Sequence, residues 1–196
     1  MNIILATHNK NKVVELQRVL SDIFSDVMVM TATEAGFTDD IEENGSTFEE
    51  NAMIKARAVK KEGYISVADD SGLCVNALDG APGIYSARYS GEPKSDERNN
   101  ALLLANLEGK NDRSAYFVSA IACVMPNGEE FTVRGTAEGY MLTEQKGQGG
   151  FGYDPLFYFP PLDKTFAELT TDEKNQVSHR GNAIRAFAEE LSKRLS

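Results

Sequence analysis

The residues best able to do chemistry in this 196-residue chain fall in four groups. Thr7, His8, Asn9, Lys10, Asn11 and Lys12 form a polar turn between an apolar run and a helical pattern. A helix beginning there presents unpaired backbone N–H groups and about half a positive charge, so the turn suits a phosphate. Two acidic pairs follow, Glu42/Glu43 in a loop and Asp69/Asp70 at the end of a predicted strand. Carboxylates suit Mg²⁺, which is commonly held by one or two of them together with substrate phosphates. Strand ends facing a crevice are where α/β proteins place ligands, and adjacent carboxylates there repel unless a cation or proton intervenes. Alternation sends the Asp69 and Asp70 side chains to opposite sheet faces, and periodicity leaves open which one meets a ligand.

The third segment, Gly147 to Asp154, contains G-x-G-x-x-G at 147, 149 and 152. Tyr153-Asp154-Pro155 forbids the helix that a dinucleotide fingerprint requires next, so that reading is rejected. The segment offers instead a backbone that a ligand can approach, with Phe151 and Tyr153 as π faces for a base. Its plain structural alternative is a glycine-rich hairpin with the aromatics in the core. The fourth segment carries Lys174, His179 and Arg180, which supply charge and fixed donors for an oxygen acceptor. Lys55 and Arg88 are ambiguous between surface charge and function.

Positioning these segments takes alternating strands and helices. Ile3 to Ala6 reads as a strand, followed by a helix with Val13, Leu16, Val19 and Leu20 inward. After a second strand, Val27 to Thr31, Ser46 and Glu49 fit a capping box. The helix it opens carries Phe48, Ala52, Ala56 and Val59 on one stripe and stops near Gly63. Ile65 to Ala68 predicts a buried strand running into Asp69-Asp70-Ser71-Gly72, with a further alternating run at Leu73 and Val75. A loop from Gly80 to Pro93 precedes a helical run from Asp96 to Leu107. Runs from Ala115 to Met125 and Glu130 to Gly139 flank Asn127-Gly128, a strong hairpin signal. A short aromatic strand, Leu156 to Phe159, precedes a last helix with Ala183, Ile184, Phe187, Ala188, Leu191 and Leu195 inward and Ser178 as its cap. The expected architecture is α/β, a mixed β-sheet with flanking helices, folded as one domain over residues 1 to 196 with two lobes around a cleft.

Composition narrows the partners. With 20 Lys and Arg against 30 Asp and Glu, the net charge is −10. Wrapping a nucleic-acid backbone needs a basic stripe, so no nucleic-acid partner is expected, whereas a small anion in a local pocket is permitted. Cys74 and Cys123 lie far apart in apolar runs and read as core residues. Two histidines without an HExxH motif argue against a histidine-rich metal site. The apolar run at the N-terminus is far too short for a signal or membrane segment, which predicts a cytoplasmic protein with no membrane partner.

Together, and in order, Thr7-x-Asn9-x-x-Lys12, Thr47-Phe48-Glu49-Glu50-Asn51-Ala52 with Lys55-Ala56, Ala68-Asp69-Asp70-Ser71-Gly72-Leu73, Gly80-Ala81-Pro82-Gly83-Ile84-Tyr85-Ser86-Ala87-Arg88-Tyr89, Gly150-Phe151-Gly152-Tyr153-Asp154-Pro155 and Ser178-His179-Arg180 resemble the inosine triphosphate pyrophosphatase family. The resemblance spans nearly the whole chain. It implies hydrolysis of ITP, dITP or XTP to the monophosphate and pyrophosphate, a house-cleaning activity that keeps these nucleotides out of DNA and RNA. It also implies a Mg²⁺ cofactor and a homodimer. By the same resemblance, Thr7 to Lys12 would grip the triphosphate, and Asp70 would be the catalytic carboxylate that also binds Mg²⁺. Glu42, with Glu43 adjacent in register, would be the second metal carboxylate. Ser71 would contact substrate, Phe151, Gly152, Tyr153 and Asp154 would hold base and sugar, and Lys174, His179 and Arg180 would bind the 6-oxo end of the purine. Two competing readings are a pyrophosphatase with another nucleotide spectrum and a nucleotide-binding regulator without turnover.

Overall fold

The computed structural model describes all residues, 1 to 196. Its strands and helices are β1 (Asn2–Leu5), α1 (Lys10–Ser21), β2 (Met28–Thr31), α2 (Phe48–Ala58), β3 (Ile65–Val75), α3 (Asp96–Asn106), β4 (Ser114–Val124), β5 (Glu130–Met141), β6 (Phe157–Phe159), β7 (Lys164–Thr165), α4 (Thr171–Val177) and α5 (His179–Leu195). All seven strands join one sheet in the order β2-β1-β3-β4-β5-β6-β7. β1 runs parallel to both β2 and β3, while β6 is antiparallel to β5 and β7, so the sheet is mixed as expected. β4 and β5 are neighbours joined by a tight turn, in which the Gly128 N–H donates to Met125 O and the Met125 N–H to Glu129 O. No helix is long and apolar enough to cross a membrane.

By internal packing the chain divides into two compact units, Met1–Asp70 with Ser119–Gly135 and Asn182–Ser196, and Ser71–Val118 with Thr136–Gly181. In the first unit, strand alternation builds two cores. Ile3, Leu5, Ile65, Val67, Ile121 and Cys123 pack with Leu16 and Leu20 of α1 and with Ile184, Phe187 and Leu191 of α5. The intervening residues Ala68, Ala122 and Val124 meet Ala52 and Ala56 of α2 on the other face. Alanines at that contact let the α2 backbone lie close to the strands, because helix packing distance follows side-chain size. Burial in such a core pushes the Cys123 thiol up to about 12, leaving it an unreactive apolar filler. The second unit is built on aromatics: the Phe117 ring lies 4.6 Å from Phe157 and 5.7 Å from Phe166, beside Leu73, Val75, Leu103 and Leu107.

Three differences from expectation bear on the charged residues. β3 is one strand of eleven residues, so Asp69 and Asp70 lie in its middle and not at a strand end. Asp and Gly disfavour strands locally, but β3 starts beside β1 at Ile65 to Val67 and has β4 as its other neighbour, and this sheet context overrides the preference. The α2 cap sits one residue later than predicted. Thr47 is the N-cap and accepts from the Glu50 N–H, while Glu50 Oε2 accepts from both the N–H and the hydroxyl of Ser46. Finally, α4 precedes α5 where only an approach to the last helix was expected. It buries no residue, and therefore shows no apolar stripe.

Candidate active site

The first unit assembles a lysine and carboxylate group. On the α1 face of β3, Asp69 accepts a hydrogen bond from Lys12 Nζ at 2.8 Å. On the α2 face, Lys55 Nζ stands 2.9 Å from Glu43 and 3.8 Å from Asp70. Period-two alternation therefore separates the two aspartates and gives each its own lysine, one from each flanking helix. Lys55 follows Ala52 by three residues and precedes Ala56, so it borders the alanine stripe and is carried towards the sheet. Glu43 is placed by the loop before α2. The buried Asn51 accepts the Gly45 N–H at 2.9 Å, and a Cβ on Gly45 would come within 2.8 Å of both Asn51 Oδ1 and Glu50 Cβ. Glu43 is half-buried in this group, and its neighbour Glu42 is exposed.

The turn between β1 and α1 is less open than its sequence suggests. Asn9 caps α1 by accepting the Asn11 N–H, and the Thr7 hydroxyl accepts the Asn9 N–H. The Lys12 N–H donates to Asn9 O. Thr7 and Asn9 thus spend their oxygens on the turn's own donors, which fixes its shape and leaves Lys12 as its half-buried cation. His8 Nδ1 lies 2.7 Å from the Thr33 hydroxyl and ties the turn to the segment after β2. His8, Lys10 and Asn11 are exposed. β3 passes from one unit to the other between Asp70 and half-buried Ser71.

The second unit gathers the glycine loop. Phe151 is 71% exposed, and Lys174 Nζ lies 4.5 Å from its ring centroid, a cation–π contact. Asp154 is buried and accepts from both Lys174 Nζ and the Phe151 N–H. Burial raises the Asp154 carboxyl above its ordinary value, and the Lys174 ammonium offsets only part of that rise. Gly150 has a φ of +72°, and a Cβ there would collide with the Asp154 carboxylate. Tyr153 is buried and donates its hydroxyl proton to Ser86 O at 2.7 Å; burial raises its phenol as well. The loop therefore presents the Phe151 ring outward while Tyr153 and Asp154 hold it from beneath. Ser178 accepts the Gly181 N–H, capping α5 as expected. His179, the first residue of that helix, is buried and stacked on Phe117 at 4.7 Å, with half-buried Arg180 beside it.

The structure brings in three side chains to which the sequence reading gave no role. The Lys55 ammonium serves two carboxylates, and its signal was the cation bordering an alanine stripe. Asp96 and Asn100 of α3, one helical turn apart, both reach Gly152; in the sequence they lie within the polar run Asp96 to Asn100, where nothing singles them out. No three His, Cys, Asp or Glu side chains converge into a ready-made metal cage. Asp70 and Glu43 beside one lysine nonetheless suit a hard cation that takes its remaining ligands from water and phosphate.

Comparison with known proteins agrees with these elements from end to end. The chain is similar to a dITP/XTP pyrophosphatase of Exiguobacterium sp. AT1b, 52% identical over 97% of each chain, and to one of Desulforamulus reducens, 50% identical over 98% of this chain and 96% of that one. Its fold matches the solved structure of the Staphylococcus aureus Ham1 protein with a TM-score of 0.92 at 45% identity, covering 99% of this chain and 100% of that one. A family model spans residues 3 to 190, and the chain belongs to the Ham1 family.

Proposed function

We propose that this protein hydrolyses deaminated purine nucleoside triphosphates, ITP, dITP and XTP, to the monophosphate and pyrophosphate. Relatives about half identical over nearly the whole chain carry the name dITP/XTP pyrophosphatase, which supports the reading. The observation that carries it is the Lys55 ammonium shared by Asp70 and Glu43. That group fits a phosphate anhydride, and Phe151 over Lys174 fits a purine.

Asp70 orients a water towards the α phosphorus and accepts its proton. The new bond joins the water oxygen to the α phosphorus as the bond to the bridging β oxygen breaks, and pyrophosphate departs with the electron pair. Lys12 and Lys55 exchange their carboxylate partners for phosphate oxygens as charge develops there. Asp70 and a loop carboxylate, Glu43 or Glu42, would hold Mg²⁺, which when bound neutralises the leaving pyrophosphate. Donors from Lys174, His179 and Arg180 would pair with O6 of hypoxanthine or xanthine. Adenine presents an amino donor at that position, and leaving a buried donor unpaired costs about 1–3 kcal/mol. A cytoplasmic homodimer completes the reading, and a sedimentation measurement tests the dimer.

The decisive experiment is a panel of standard and deaminated triphosphates with separate detection of pyrophosphate and orthophosphate. Pyrophosphate from ITP and XTP, well ahead of ATP, is the expected result. Orthophosphate as the sole inorganic product overturns the reaction, preference for pyrimidine triphosphates overturns the substrate class, and tight ITP binding without product returns a regulator.

A further inference from the structure

The Gly152 backbone is held from both sides by one helix. Its N–H donates to Asp96 Oδ2 at 2.7 Å, and its carbonyl accepts from Asn100 Nδ2 at 2.9 Å. Asp96 and Asn100 are four residues apart on α3, so they project from one helix face. Asn100 is 3% exposed, and its Nδ2 also donates to Asp96 O, which locks the amide in place. Gly152 itself has a φ of +59°, and space around its α carbon is open. Nothing steric holds that residue, and a glycine has more conformational freedom to lose than any other residue. Two side chains supply the restraint that its missing side chain does not. They fix the two peptide planes next to Phe151 and Tyr153, and so set the direction in which the Phe151 ring faces.

We propose that Asp96 and Asn100 are positioning residues for purine selectivity: by clamping both polar groups of Gly152 they aim the Phe151 platform at the base, without touching the phosphate chemistry. The proposal rests on the reading that Phe151 meets the base. Lys174 and Asp154 brace the same loop by charge, but they act on Phe151 and its N–H. The α3 pair acts on the next residue, whose torsions decide how the ring is presented.

The test compares steady-state kinetics of the full chain with ITP and with ATP, with thermal melts alongside. Asn100→Ala should raise KM for ITP about tenfold, the loss expected for one hydrogen bond with a buried group left unpaired, and leave kcat within about twofold. Preference for ITP over ATP should fall by the same factor. Asp96→Ala should shift KM in the same direction, and Asp96→Asn should restore it, because the amide oxygen accepts the same N–H. An unchanged KM in Asn100→Ala, a loss confined to kcat, or an Asp96→Asn variant as impaired as Asp96→Ala overturns the proposal. If Asn100→Ala does not fold, the two Asp96 variants decide alone. Phe151→Ala separates the two levels. If it raises KM for ITP while the α3 variants do not, the clamp alone fails; if it leaves KM unchanged, the base-platform reading fails and the proposal with it.

Discussion

A strand side chain turns to the opposite face at every residue, so Asp69 meets Lys12 on the α1 side of β3 and Asp70 meets Lys55 and Glu43 on the α2 side. With Asp70 as the proposed proton acceptor, Asp70→Asn should lower kcat for ITP about 10²–10⁴-fold while the melting temperature stays near that of the parent. A kcat within tenfold of the parent would sink the assignment. Asp154 makes a second residue-scale prediction. Burial raises its carboxyl above the ordinary 3.8, so between those values the folded chain keeps a proton that the unfolded chain has released. At this residue, acidification through that window favours the fold. It also neutralises the partner of Lys174. KM for ITP should therefore climb in acid at a pH above the ordinary aspartate range, and the climb should flatten in Asp154→Asn; pH-dependent kinetics check both. The opposition of Asp69 and Asp70 was legible in the sequence because it follows from period two alone. The lysine each one meets was not, because helix packing places it.

Thr47 holds the start of α2, and through α2 the position of Lys55. Thr47→Ala should cost about 1 kcal/mol and lower the melting temperature by about 2–4 °C, read by a thermal melt. The residue types of this cap were legible, but its register was not. Ser46, Thr47, Glu49 and Glu50 spell two overlapping boxes, and the backbone selects Thr47, whose φ of −132° and ψ of 161° are those of an N-cap. Ser46 then becomes a donor, and its hydrogen bonds hold the Glu50 carboxyl below the usual range. α4 escaped notice for a different reason. Without a buried residue it has no apolar period, and its signal was the Thr170 and Glu173 capping box alone. β3 was broken by expectation and unbroken in the fold, because Asp69 to Gly72 read as turn residues until β4 lies beside the strand they continue.

Over the whole molecule, the net charge of −10 opposes a triphosphate in the far field, and Lys12, Lys55 and Lys174 are each paired with a carboxylate. Chelation of divalent metal should abolish ITP turnover, and added Mg²⁺ should restore it. The melting temperature should move by no more than about 2 °C, because no three-ligand cage makes a metal part of the fold. Residual turnover in chelator, measured by pyrophosphate release, would contradict the metal role. The sequence by itself determined the alternation of strands and helices, the hairpin at Asn127-Gly128, the acidic balance and the order of the motifs. Each of those is encoded within a few residues or in simple counts, where periodicity and turn chemistry act directly. The tertiary structure decided which charges meet. Lys12 and Asp69 are 57 positions apart, and Asn100 and Gly152 are 52. Pairings over such distances are written in no local pattern, because each forms only when a helix packs its apolar stripe and so brings its polar edge against a distant segment.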